Sequence, residues 1–179
     1  MQNLNVEIVP NRDHIGVIER LLQGDPSRVR IYALNVRDVK LASAKLGSRL
    51  SRLLASGRCT VTIVYGGTLL KKDKRRAKDK GCREALEFLH RLEGLGARVY
   101  WNRKLHAKVL YVEDRMPQGG NSTRALISSA NFTKSALTWS HELGVAFDHL
   151  DSRPCVKHRI EQFTNGVLVG KRPLEQEEV

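Results

Sequence analysis

Residues 59–67 read CTVTIVYGG, a run almost wholly apolar or β-branched before its two glycines. Extended as a strand, it has no polar face to offer water, so it must be covered on both sides. The flanking segments supply the cover. Residues 38–57 carry Leu41, Leu46, Leu50, Leu53 and Leu54 as one stripe, with Asp38 placed to cap a helix and Gly57 to end it. Residues 82–96 turn Ala85, Leu86, Leu89 and Leu92 to one side and end in glycines. A doubly covered strand between two amphipathic helices implies an α/β layered domain.

The same periodicities extend the pattern. Strands are expected at 5–10, 29–36, 97–101, 105–114, 125–132 and 142–149, and helices at 14–24 and 152–168. A short helix is expected at 133–137 with Thr133 as its cap. The order β-α-β-α-β-α-β-β-β-β-α predicts a mixed, mostly parallel sheet flanked by helices on both faces. Residues 1–170 read as one domain without internal repeats, and 171–179 as a polar tail.

Thirty-one Lys and Arg against nineteen Asp and Glu leave a formal charge of +12. That excess on a small domain argues for an anionic partner, with nucleic acid the leading candidate. Residues 71–80, KKDKRRAKDK, hold seven Lys/Arg and two Asp. Lys71, Lys72, Lys74, Arg75 and Arg76 are therefore candidate contacts to a phosphate backbone. A solvated loop accounts for such a run equally well. No basic amphipathic helix or lipidation motif points to a lipid surface. Three widely spaced cysteines without a C-x-x-C pair suggest free thiols in a reducing compartment, with neither disulfide framework nor zinc site. Without a secretory leader or a membrane-length apolar run, the expectation is a soluble, cytoplasmic protein.

One strand carries a contradiction. In LHAKVLYVED (residues 105–114) the core run Val109–Val112 is preceded by His106 and Lys108, which alternation places on one face. Two cationic groups side by side repel unless an anion sits between them. Taken alone, the pair reads more simply as a satisfied histidine and a lysine reaching off a strand end. It does not stand alone. SSANF follows the next strand with Ser128, Ser129 and Asn131, and SHELGV sets Glu142 at the mouth of another. Hydroxyl, amide and carboxylate groups at strand ends are where α/β domains place their chemistry.

HAKVLYVE followed by SSANFT resembles the H-x-K-x4-D and G-S-x-N signature of the phospholipase D superfamily. HELGV is similar to the N/H-x-E segment of its nuclease branch, and the likeness spans about residues 28–148. Two departures stand out. Glu113 occupies the place of the usual aspartate, and Ser128 that of the glycine before the serine. An insert, PQGGNSTR, also lengthens the gap between the motifs, as a longer hairpin loop would.

The resemblance implies a phospholipase D-like fold and a phosphodiesterase. It makes His106 the nucleophile and Lys108 a clamp on the non-bridging oxygens, with Asn131 and Ser129 as further donors. It also implies that Glu142 orients the imidazole and that Glu113 completes the motif. No metal or cofactor is needed. A chain with one H-x-K holds half the two-histidine site, so the resemblance implies a homodimer with a composite site.

The charge favours a nuclease, DNA more than RNA, with Arg103, Lys104 and Lys134 as added contacts to the strand. Trp101 and Trp139 are able to stack bases, although packing is the commoner use of tryptophan. The alternatives are a phospholipid phosphodiesterase, which calls for an apolar cleft at the site, and a non-catalytic nucleic-acid-binding module.

Overall fold

The computed structural model describes residues 4–10, 13–66, 80–102, 104–116, 118–138, 140–168 and 172–173. One eight-stranded sheet runs through them in the order β1-β7-β6-β5-β2-β3-β4-β8. The strands are β1 (Asn5–Pro10), β2 (Pro26–Ala33), β3 (Thr60–Tyr65), β4 (Arg98–Trp101), β5 (Lys108–Arg115), β6 (Asn121–Ser128), β7 (Leu143–Asp148) and β8 (Arg172–Pro173). The helices are α1 (His14–Leu22), α2 (Leu46–Ala55), α3 (Lys80–Gly94), α4 (Lys134–Thr138) and α5 (Pro154–Leu168).

The sheet is mixed with helices on both faces, as the pattern predicts, but antiparallel pairing dominates. Only β2–β3 and β3–β4 are parallel; the other five of seven pairings are antiparallel. The reason is the placement of β1. A helix follows it, yet it crosses to the far edge beside β7 instead of lying next to β2. Strand β5 takes the place beside β2, running the other way.

The sheet separates two cores. On one face α1, α2 and α3 pack Ile18, Leu21, Leu46, Leu50 and Leu89 against Val29, Ile31, Leu110 and Val112. On the other, α5 brings Ile160 to Tyr32, Val109 and Tyr111. Polar contacts seat α5: the Tyr111 hydroxyl donates to Glu161 at 2.8 Å, and Asn102 Nδ2 donates to the Val167 carbonyl at 3.0 Å. Strand β3 is buried on both faces from Val61 to Tyr65, apart from the partly covered Thr62. All three cysteines are free, and burial pushes the Cys59 thiol up to about 11.

Four local differences from the sequence reading have plain causes. Residues 38–45 form a small hairpin, with Lys40 bridged to Lys45, so α2 begins only at Leu46. Asp38 still caps that helix, but from a distance: its Oδ1 accepts the Gly47 N–H at 2.8 Å. The insert between the motifs does not widen a loop. It lengthens the β5–β6 hairpin, pairing Arg115 with Asn121 across a glycine turn. Finally, residues 172–173, expected in a polar tail, pair with Tyr100 and Trp101.

Candidate active site

The antiparallel registers decide what meets at one end of the sheet. Lys108 opens β5 opposite Ser128, the last residue of β6, and Ser128 lies opposite Gly144 of β7. Strand β2 ends at the same edge, since Tyr32 pairs with Val109. Three segments distant in sequence, 106–108, 128–131 and 142–144, thereby converge beside residues 33–37.

His106 lies just before β5, not within it as the alternation argument assumed. Its loop is pinned by Asn102, whose Oδ1 accepts the Lys104 N–H at 3.0 Å and whose carbonyl accepts the Leu105 N–H at 2.9 Å. Leu105 is buried as an anchor while His106 is exposed. Lys108 is largely buried, 8 % exposed, and its Nζ lies 3.4 Å from His106 Nδ1. An ammonium can only donate, so in a hydrogen bond between them Lys108 is the donor and Nδ1 the acceptor.

The hydroxyl of Ser129 donates to the Glu142 carboxylate. The same oxygen accepts the Leu143 N–H at 3.1 Å, and the Ser129 N–H donates to the Leu143 carbonyl at 3.0 Å. Glu142 was expected against the imidazole. Here Ser129 engages its carboxylate, and Lys108 meets the ring. Asn131 Oδ1 accepts the Asn35 N–H at 3.1 Å. Since only the oxygen can accept that bond, the amide nitrogen keeps both its hydrogens for another partner. Backbone bonds at Phe132 lash the segment to residues 35–37.

Glu113 is not part of this group. It stands five residues along β5 from Lys108, about 16 Å at roughly 3.3 Å per residue, and alternation turns it to the opposite sheet face. There it pairs with Arg28 of β2 at 3.0 Å and is 8 % exposed. The motif's acidic position ties two strands together. Of the candidate strand contacts, Lys104 and Lys134 are exposed and Trp101 packs against the core. Lys71, Lys72, Lys74, Arg75, Arg76, Arg103 and Trp139 lie outside the described residues.

Sequence reasoning passed over His14. It opens α1 fully buried, with Nε2 2.7 Å from the Ser128 hydroxyl, which accepts the Ala130 N–H at 2.8 Å. A Cβ at position 144 would sit 2.9 Å from His14 Nε2, so only glycine admits the imidazole there. Ser128, the departure at the glycine position, is therefore matched by a buried partner from another element. The only hint in the sequence is the pairing of an unusual polar residue with a histidine heading an apolar helix.

Among the described residues, no three His, Cys, Asp or Glu side chains are grouped to hold a metal ion. None of the described helices is long and apolar enough to cross a membrane.

The family model for the cardiolipin synthase, PLD-like domain matches residues 18–165. Solved structures share the fold. Nuc, a phospholipase D family member from Salmonella typhimurium, has a TM-score of 0.62 at 17 % identity, covering 96 % of this chain and 98 % of that one. NucT from Helicobacter pylori has a TM-score of 0.58 at 16 % identity, covering 96 % and 100 %. Phosphatidylserine synthase from Haemophilus influenzae has a TM-score of 0.64 at 16 % identity, covering 97 % of this chain and 41 % of that one. No curated protein matches the chain in sequence.

Proposed function

This chain belongs to the phospholipase D-like family of phosphodiesterases, and from that premise we propose that it is a metal-independent nuclease acting on DNA, with a site completed by a second copy of itself. The observation that carries the catalytic reading is the convergence of His106, Lys108, Ser129, Asn131 and Glu142 at one sheet end. The charge of +12 supports a polyanionic substrate.

The chemistry runs as follows. A scissile phosphate draws the Lys108 ammonium to its non-bridging oxygens, which frees His106 Nδ1. Glu142 then holds the ring N–H, and the opposite nitrogen attacks phosphorus. The P–N bond forms as the P–O bond breaks, and the leaving alkoxide takes a proton from the partner's imidazolium. Water next attacks the phosphohistidine while that second imidazole takes its proton. Asn131 donates its free amide hydrogens to the phosphate.

An apolar sheet face left open among the described residues supports the second copy. Helix α5 covers the sheet centre but leaves an apolar row, Ile8–Val145–Ile127, running across β1, β7 and β6. Ile8 is 62 % exposed and Leu143, beside Glu142, 59 % exposed. An apolar patch adjoining half a site is what a two-fold partner would cover.

The test is incubation with single-stranded and duplex DNA in EDTA, beside H106A. Cleavage that the variant lacks supports the reading. Hydrolysis of a phospholipid with no nucleic acid cut would overturn it. An active monomer by light scattering would sink the shared site. Mixing wild type with excess H106A should depress activity below simple dilution, because mixed dimers lack one histidine.

A further inference from the structure

A cleft adjoins the site along the segment that follows Asn131. One wall is formed by Arg37, Lys40 and Lys45 with Thr133, Lys134 and Ser135; the other is α3, with Glu84, Glu87, Phe88 and Arg91. Three of its eight charged side chains are paired, Asp38, Arg91 and Glu84. Asp38 gives Oδ1 to the Gly47 N–H and Oδ2 to Arg91 at 2.8 Å, and Glu84 has Lys80 at 3.9 Å.

Of the other five charged residues, Arg37 alone is not exposed. Its Nε is buried without a hydrogen-bond partner, and among the described residues no carboxylate pairs with its guanidinium. The guanidinium fills a notch at Gly81 of α3. A Cβ there would lie 2.3 Å from one terminal nitrogen and 2.6 Å from the other. A cation with a buried donor left unsatisfied is stabilised by an anion. Its backbone N–H also bonds the Phe132 carbonyl at 2.8 Å, which places it one strap away from Asn131.

We infer that Arg37, with Lys40, Lys45 and Lys134, forms a second phosphate subsite that holds the polynucleotide strand beside the phosphate being cut. This rests on the nuclease reading and deepens it by naming the path of the strand. Glu84 and Glu87 repel a polyanion from the α3 wall, so the strand follows the opposite, basic wall. A guanidinium fits phosphate because its fork can meet two oxygens at once.

The experiment compares R37Q with wild type on two substrates. One is a single-stranded 20-mer; the other is bis(4-nitrophenyl) phosphate, which offers a single phosphate. Losing one phosphate contact should raise KM for the 20-mer about five- to tenfold and reduce the slope of log affinity against log salt by about 0.7 to 0.9. Turnover of the small diester should change by less than about twofold. G81A, which displaces the guanidinium while keeping its charge, should act in the same direction, and K40A/K45A should lower the salt slope further.

An unchanged KM and salt slope for the 20-mer in R37Q would overturn the subsite. An equal loss on both substrates would also overturn it, by assigning Arg37 to the structure of the site itself. If the wild type cuts neither substrate, the nuclease reading fails. The subsite is then judged by 20-mer binding alone, where an unaltered salt slope in R37Q counts against it.

Discussion

Replacing Glu113 with glutamine separates two roles for the acidic position of the motif. The carboxylate sits opposite Arg28, accepts its Nη1 at 3.0 Å, and has a side-chain exposure of 10 %. A fully buried pair broken on one side costs about 3–5 kcal/mol, and an exposed pair about 0.2–1 kcal/mol. Arg28 is 43 % exposed, so water recovers much of its solvation and the buried figure must be discounted. Glutamine can still accept one hydrogen bond. The expected loss is therefore about 1–2 kcal/mol. For a chain of this size that corresponds to a Tm lower by about 2–8 °C. Since Glu113 points away from Lys108 about 16 Å up the strand, kcat should stay within about twofold of wild type. The assays are thermal unfolding by circular dichroism and DNA cleavage in EDTA. A kcat reduced more than about 100-fold with Tm unchanged would refute the reasoning and return Glu113 to the chemistry.

Other variants probe the remaining contacts. K108M should retain or raise Tm, because it removes a largely buried ammonium beside Leu110 and Leu126, while turnover falls about 10²–10³-fold; a proportional loss of both speaks against a clamp. S128A removes one hydrogen bond of His14 and leaves the Ala130 N–H without its hydroxyl acceptor, and should cost about 1–3 kcal/mol. Urea unfolding of H14A, S128A and the double variant should show coupling of at least about 0.5 kcal/mol, and strict additivity would mean the pair does not act together. Asp151 governs an acid limb. Burial pushes its carboxyl up, but bonds from Lys157 and Thr123 outweigh that and hold it below the usual range. A lowered carboxylate stabilises the fold above the unfolded value of about 3.9, and this is lost as pH falls through the folded value. D151N should therefore lower the urea midpoint at pH 7 and differ little from wild type at pH 2, and an equal deficit at both would contradict the assignment.

Much of the fold was readable from local patterns. The β3 run, the leucine stripe and the α3 spacing act over ten to twenty residues, and burial simply selects what they already favour. Boundaries failed where a distant partner intervened. Residues 38–45 carry helix-compatible leucine spacing, yet Leu41 is buried in the core from a hairpin while Asp38 reaches forward to Gly47. Parallel balance failed for a related reason. Alternation of strand and helix constrains the crossover but not which edge of the sheet receives β1.

The site divides along the same line. His106 and Lys108 are two residues apart and Ser129 and Asn131 are two residues apart, so short-range geometry alone makes each a pair. That these pairs adjoin, that Glu142 receives Ser129, and that Glu113 faces away depend on the registers of β5, β6, β7 and β2. A register is set by hydrogen bonds and packing between strands far apart in the chain, and a shift of one residue would turn every side chain over. Residue type along the chain carries the chemistry available; His14 beneath Ser128 and Arg37 against Gly81 are neighbours only after the sheet has closed, because nothing local draws them together.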